Sequence, residues 1–553
     1  MLYLKITSGS FAVDVAAYII TSVCTLLLAT RIFTEARFWL RSRGAAGRFQ
    51  GREPLTLPYT IPWLGGATRM MGGHSVYKYA ESMSPLGRPV KLRVGSLNMY
   101  ILFGPKNMKA FFRNSKSVSK DASSIMLFKN TSMPAKDVQI FKDDQSGYGA
   151  TSLTEGKNET RIWKRTHDLG SAALANGPDV NLLTSRFMEE FVTELDMAPL
   201  EKTISIPLYD FLKKKMFVAS TISLVGTEIF RLNPGLVKTY WDFDDGFLMT
   251  AIGLPKVLIP KQYTALDRML QASKRWIDSP YSQLDPKESD AEWEENFGSK
   301  FIRKVAEVLT ESGVSREGQA VAMLPLIWAI NSNAIPCAGW MIFEILKHPG
   351  LFQRLREEVS PFMTSQSTGK TRFDIPNLVS NSPLLTSLYL ETIRTCTSSS
   401  PTRRLMQDLE VDGYILKKDN HIMASSWIPA HSTIWDVPGH PANSFWPERF
   451  IEMPKMKPKD PEEKSAYEIA MRPENFFPYG GGNVVCSGRF FAKQEIMTAV
   501  ALLVMKFDID FEGGWVTTDG KTSERGAKCD ESLAGSGVLT PDRDMVVKMK
   551  RVR

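Results

Sequence analysis

One run constrains this chain more than any other. Gln319–Lys347 is 29 residues, nearly uncharged, helical in pattern and ended by His348, Pro349 and Gly350. At the α-helical rise it would be about 44 Å long, enough to cross a whole domain. Being apolar on nearly every face, it demands burial in the centre of a large helical protein. A membrane span is disfavoured, because Pro325, Asn331, Ser332, Asn333 and Pro336 would be costly in hydrocarbon. Pro336 cannot donate to the carbonyl of Ser332, so a kink and a freed carbonyl are predicted beside Asn333. That makes a polar notch in an apolar helix, suited to handling dioxygen, water and protons.

Such a helix needs a large body around it. The 553 residues exceed the usual size of one hydrophobic core. Apolar residues make up 43% of the chain, which is the composition of a globular enzyme, not of a disordered or multi-span protein. The five cysteines (Cys24, Cys337, Cys396, Cys486, Cys529) are scattered, with no CxxC pair and no zinc spacing. This argues for a reducing compartment, without disulfides or a structural metal. The net charge of +8 is modest, and no basic stripe interleaved with aromatics suggests nucleic acid. A membrane surface or an acidic protein partner is the preferred reading.

Along the chain, residues 1–10 form a short N-terminal segment, and Phe11 to Thr30 is long enough to cross a bilayer. Arg31, Arg37, Arg41, Arg43, Arg48 and Arg52 follow it, whereas Lys5 and the amino terminus alone precede it. The positive-inside bias therefore puts the downstream chain in the cytosol and residues 1–10 in the lumen. A cleaved signal peptide is the rival, but no small-residue cleavage site precedes Arg31. Residues 31–66 read as a basic, Pro-rich hinge through Pro54, Pro58 and Pro62, and residues 67–553 as the catalytic domain. Pro89 to Phe103 alternates around Gly95-Ser96 as a β-hairpin, and Asn107 to Asn114 as a short helix. Residues 161 to 275 are mainly helical, with breaks at Pro178 and Pro234; residues 279 to 298 read as a solvated loop. Leu384 to Thr395 is helical and sets Glu391 and Arg394 on one face among apolar neighbours. Glu410 to Ser426 is β-like.

Near the C-terminus, Tyr479, Gly480, Gly481, Gly482, Asn483, Val484, Val485, Cys486, Ser487 and Gly488 precede an apolar run, Phe490 to Phe507, that reads as a buried helix. A thiolate there would meet outward-pointing amide N–H groups and the favourable end of the dipole. Flanking glycines let a broad, flat group approach the backbone. Those are the requirements of a thiolate ligand to haem iron; the alternative is a buried cysteine beside an ordinary glycine turn.

The loop resembles the haem-binding loop of the cytochrome P450 superfamily at Tyr479, Gly482, Cys486 and Gly488, with Tyr for the commoner Phe. Glu391-Thr392-Ile393-Arg394 and Pro447-Glu448-Arg449-Phe450 match two further motifs in the expected order. Asn331-Ser332-Asn333-Ala334-Ile335-Pro336 is similar to the subgroup of cholesterol 7α-hydroxylase, sterol 12α-hydroxylase and prostacyclin synthase. The Ser398–Pro401 run and the triple-glycine turn resemble fungal secondary-metabolism members.

The resemblance implies a mainly α fold with a small β-rich region and one N-terminal transmembrane helix. It implies haem b held by Cys486 as axial ligand, with Gly482, Gly488 and Tyr479 shaping the loop. Arg403 or Arg404 would meet a propionate, and His167 stands four residues after Trp163, where the family commonly has Arg. Val484 occupies a position that often carries Arg or His. Glu391, Arg394 and Arg449 would form a structural network, and Ser332 and Asn333 would organise proton delivery in place of an acid–threonine pair. The activity implied is insertion of one oxygen from O2 into a hydrophobic sterol- or terpenoid-like substrate at the endoplasmic reticulum membrane. Electrons would come from NADPH through cytochrome P450 reductase, with cytochrome b5 a further partner. Two other readings stand beside it: a reductase-independent isomerase or dehydratase, and a haem-binding protein without catalysis.

Overall fold

The computed structural model describes residues 8–43, 51–70, 73–84, 87–114, 117–144, 161–175, 177–280, 291–365, 371–458, 460 and 463–552. Lys5, Arg48 and residues 281–290 of the loop expected at 279–298 lie outside the described residues. The chain divides into two compact units, one of Met1–Val118 with Thr402–Ala424 and one of Ser119–Pro401 with Ser425–Arg553.

The smaller unit opens on a helix, Ser8–Arg43, that runs well past Thr30. Its apolar side chains are exposed, Tyr18, Leu28 and Leu40 among them. Among the described residues, two helical stretches are long and apolar enough to cross a membrane, and burial separates them. In the most apolar 18-residue stretch of Val13–Ser42 no residue is buried, whereas 67% of the corresponding stretch of Arg316–Lys347 is. The first has no protein to cover it; the second is a core helix. The sequence places a hinge from residue 31, but Arg31–Arg43 continues the helix, since nothing there breaks it before Gly44. That last part is tied down. Thr34 Oγ1 donates to the Tyr59 carbonyl (2.9 Å), Arg31 reaches the Tyr79 hydroxyl (3.2 Å), and Phe38 is buried.

The Pro-rich segment extends a sheet. Leu57 N–H donates to Lys91 O and Lys91 N–H to Leu55 O, both at 2.8 Å. The expected hairpin pairs Val90–Val94 with Leu97–Ile101, with Val94 opposite Leu97. His421–Met423 lies parallel to the second strand and antiparallel to Thr402–Leu405. Proline supplies no N–H, so this segment serves at an edge.

The larger unit is predominantly helical around a large apolar core, with smaller clusters such as that of Trp435, Phe450 and Met453 beside it. The central run is two helices, Arg316–Ser332 and Ala334–Lys347, broken at Asn333, whose φ is −113° and ψ −44°. The kink predicted at Pro336 is thus a one-residue interruption three positions earlier. Leu208–Val225, Pro383–Cys396 and Arg489–Lys506 pack about the second of these helices. A C-terminal sheet pairs Phe507–Thr517 with Arg543–Arg551, whose other edge takes Ile204–Pro207. That last strand sits inside a region that reads as helical by periodicity. Four residues are too few to interrupt a 3.6-residue pattern visibly. A short strand, Ser536–Val538, pairs with Thr397–Ser399.

Candidate active site

The cysteine loop is built by two left-handed glycines, Gly480 (φ 72°) and Gly482 (φ 68°), a conformation costly for any side chain. The turn closes when Cys486 N–H donates to the Tyr479 carbonyl (3.0 Å). Ser399 Oγ anchors the loop from outside by donating to the Pro478 carbonyl (2.9 Å). Gly488 then caps the helix Arg489–Lys506, nearly continuously buried from Gln494 to Val504. The cysteine is therefore held by turn geometry on one side and core packing on the other.

The sulfur is accessible to solvent at the start of an otherwise buried helix. Surrounding protein pushes its thiol up. Against that act the N–H groups of Gly488 and Arg489 and the charges of Lys120 and Arg489, all of which favour the thiolate. A bound cation would complete that work, since a coordinating thiol is deprotonated outright. The donor chemistry fits haem iron.

Tyr479 finds a use for its additional hydroxyl. It hydrogen-bonds the hydroxyl of Tyr389, and burial raises both phenols. Tyr389 lies two residues before Glu391, so the pair links the cysteine loop to the charge-bearing helix. Glu391, Arg394 and Arg449 are each fully buried. Arg394 Nε donates to Glu391 Oε2 (2.7 Å), and Arg449 Nε to Glu391 Oε1 (2.9 Å). The remaining guanidinium hydrogens are taken by carbonyls, Ala430 (2.8 Å) and Ala442 (2.7 Å) for Arg394, and Trp435 (2.6 Å) for Arg449. Two cations on one buried carboxylate are tolerable only because these carbonyls complete the set.

The other expected positions separate clearly. Arg403 is 7% exposed, and burial pushes its guanidinium down to about 10. It donates to the Thr402 carbonyl (2.9 Å), and among the described residues no carboxylate pairs with it. Arg404, on the opposite face of the same strand, pairs with Asp419 (2.8 Å) at the surface. His167 lies on the helix Ile162–Ala173, with Nδ1 3.5 Å from Asp168 Oδ1. Trp163 has its indole N–H committed to the Phe141 carbonyl (3.0 Å). At Asn333, Oδ1 accepts from Val538 N–H (2.9 Å). A Cβ on Gly537 would run into that oxygen, so glycine is required there.

Ser332 points to a helix that sequence reasoning left without a role, Leu236–Ala251. Its hydroxyl lies 2.7 Å from Asp244 Oδ1 and 2.8 Å from the Tyr240 hydroxyl, and Trp328 Nε1 donates to the same Asp244 oxygen (2.8 Å). Burial, with a contribution from Asp245, raises the Asp244 carboxyl to about 6. Sequence reasoning missed Asp244, Tyr240 and Lys120. An acid flanked by Phe243 and Phe247 is a faint signal, visible only after the fold is known.

The cytochrome P450 family model matches residues 162–522. A cytochrome P450 monooxygenase, calL of Penicillium decumbens, is 31% identical over 90% of this chain and 96% of its own. The chain belongs to the cytochrome P450 family. It is an enzyme of the P450 monooxygenase class, and the family implies a haem-iron cofactor, a redox partner and a hydrophobic substrate. Weaker similarity extends to cholesterol 7-alpha-monooxygenase of Cricetulus griseus, 24% identical over 62% of this chain and 66% of that one. Human prostacyclin synthase is 25% identical over 46% of this chain and 49% of its own. The structure of retinoic acid-bound cyanobacterial CYP120A1 shares the fold, with a TM-score of 0.60 at 16% identity over 91% of this chain and all of that one.

Proposed function

We propose that this P450 is a membrane-anchored haem–thiolate monooxygenase of fungal secondary metabolism, acting on a sterol- or terpenoid-like substrate. The observation that carries the reading is Cys486, presented at the start of a buried helix with the N–H groups of Gly488 and Arg489 at its sulfur and the charges of Lys120 and Arg489 favouring its thiolate. Cys486 would hold haem b, Gly482, Gly488 and Tyr479 would shape its bed, and Arg403 rather than Arg404 would meet a propionate. When bound, the haem supplies dioxygen activation and oxygen-atom transfer. The protein orients substrate, excludes water and moves protons. NADPH-derived electrons would arrive through cytochrome P450 reductase, with cytochrome b5 as a further donor. Overall, one C–H bond and O2 become an alcohol and water as NADPH is oxidised.

Asn333 and the Ser332 carbonyl would organise proton entry at the helix break, with the Val538 amide holding Asn333 Oδ1. Asn333→Ala is expected to uncouple NADPH consumption from product formation; unchanged coupling would remove Asn333 from the proton path. The exposed apolar side chains from Val13 support residues 11–30 as a span of the endoplasmic reticulum membrane; residues 31–66, helical as far as Arg43, would join it to a cytosolic catalytic domain of residues 67–553. Alkali extraction should leave the full-length chain in the membrane pellet.

Cys486→Ser is expected to abolish the long-wavelength reduced carbon-monoxide band that gives the family its name. Retention of that band would overturn the ligand assignment. Similarity to prostacyclin synthase keeps a reductase-independent isomerase as the second reading, and turnover measured with and without NADPH and reductase separates the two. A ligand-induced spin-state shift without product under any electron supply would instead indicate a haem-binding protein without catalysis.

A further inference from the structure

Reducing dioxygen to water consumes protons, yet the central run carries no acid between Glu317 and Glu344. A neighbouring helix brings one to it. Asp244, on Leu236–Ala251, has Oδ1 2.7 Å from the hydroxyl of Ser332, the last residue before the break. The Trp328 indole N–H donates to the same oxygen (2.8 Å), and the Tyr240 hydroxyl lies 2.8 Å from Ser332 Oγ. Both aromatic rings are themselves fixed, Tyr240 stacked on Phe217 at 4.5 Å and Trp328 against Phe247 at 4.6 Å. Ser332 and Tyr240 are buried, Asp244 is partly exposed, and Asp245 beside it is exposed. Among the described residues Asp244 Oδ2 has no hydrogen-bond partner, and it is not an enclosed atom. One carboxylate oxygen is thus held on Ser332 while the other is open to water.

We propose that Asp244 supplies protons to the break in the central helix through the Ser332 hydroxyl. The carboxyl group gives its proton to Ser332 Oγ as the Ser332 hydroxyl releases its own to water at the break. The carboxylate, its charge shared over both oxygens, then recovers a proton from solvent at Oδ2. Only O–H bonds are made and broken, and one proton moves inward per cycle. Asp244 acts through Ser332, so it is a positioning and proton-supplying residue and needs no contact with substrate.

The surroundings suit this task. Burial holds the carboxyl at about 6, where a group both gives and regains protons near neutral pH. On its own helix Asp245 and Tyr240 face it, and from Leu208–Val225 Tyr209 and Lys213 do. Asp242 and Asp530 act at one remove, through Asp245. Lys213 favours the carboxylate, and the neighbouring acid favours the proton. The inference rests on the monooxygenase reading, so its test includes a readout that does not involve haem.

The test uses the full-length, haem-loaded chain with reductase, NADPH and dioxygen and no organic substrate. Each dioxygen then ends as hydrogen peroxide, taking one NADPH and one proton, or as two waters, taking two of each. In the wild type the peroxide share should rise with pH as Asp244 ionises. Asp244→Asn should show a severalfold higher share at acid pH and no such dependence, and Asp244→Glu should restore it. Independently, the infrared difference between wild type and Asp244→Asn should contain a protonated-carboxyl band that fades as pH rises through about 6. Ser332→Ala should keep that band yet raise the peroxide share, which separates proton transfer from folding. A wild-type pH dependence in Asp244→Asn would overturn the proposal. So would a wild-type peroxide share in Ser332→Ala, or an infrared difference without the titrating band. Failure of the haem–thiolate reading would show separately, at Cys486→Ser, and would leave the infrared titration as it is.

Discussion

At Arg403 the two-residue alternation of a strand decides which of two adjacent guanidinium groups is available. Thr402–Leu405 buries Arg403 and Leu405 and turns Arg404 toward Asp419. A surface pair of that kind contributes little, on the order of 0–1 kcal/mol. A buried guanidinium without an anionic partner is a different matter, because its desolvation is offset only when an anion arrives. A haem propionate is such an anion. Arg403→Ala is therefore expected to lower haem occupancy severalfold, whereas Arg404→Ala should leave it within error. The pyridine haemochrome content per mole of protein checks both, and equal loss in the two variants would refute the distinction. The same reasoning covers Glu391, where a single carboxylate neutralises Arg394 and Arg449. Its sequence motifs announce the pairing, but only the carbonyls of Ala430, Ala442 and Trp435 explain how two buried cations are accommodated.

Between elements, the contact of the central helix with Leu236–Ala251 carries a pH signature. Asp244 titrates near 6 in the folded chain, against an ordinary value of 3.8. The folded state thus binds this proton more tightly than the unfolded state does. Stability from this group is present below about pH 4 and is lost as pH rises through about 6. The loss is at most about 3 kcal/mol, from a shift of about two units. Asp245, Lys213, Tyr209 and Tyr240 also face this site, and the Lys213 charge moderates the shift. Glu495 on the cysteine helix, raised to about 8 by burial, has the same sign over a later window. Asp244→Asn keeps an oxygen for the Ser332 and Trp328 donors but cannot ionise. Its urea midpoint should fall less than that of the wild type between pH 4 and pH 6 and should track it above pH 7. Identical profiles in the acid window would show that Asp244 is not the titrating group.

For the molecule as a whole, the N-terminal helix has two functions along its length. From Val13 to Thr30 its side chains are mostly apolar and exposed; from Arg31 it bonds to Tyr59 and Tyr79 and buries Phe38. Deleting residues 1–30 should release a folded protein from the membrane. Deleting residues 1–43 also removes the Thr34 hydrogen bonds and the Phe38 packing, together worth about 2–4 kcal/mol. The longer deletion should lower the apparent melting temperature by several degrees relative to the shorter one, as read in a thermal scan. Equal melting temperatures would mean that the end of the helix is only a spacer.

What could be read directly from the residues were features that act over a few positions. These include the apolar helices, the left-handed glycines that turn the chain before Cys486, the proline that breaks the central helix and the Glu391–Arg394 spacing. Each depends on backbone geometry or on neighbours within a turn, so its physics is local. The hairpin around Gly95 is of the same kind. Three features were decided by tertiary structure alone: which of Arg403 and Arg404 is buried, the Asp244 partner of Ser332, and the Tyr389 partner of Tyr479. In the last two the partners lie dozens of residues apart in the chain, and the energy that joins them comes from burial, which no periodicity encodes. Arg403 and Arg404 are adjacent, and their alternation was visible from the start. Which of the two faces the interior was set by the sheet that Thr402–Leu405 joined.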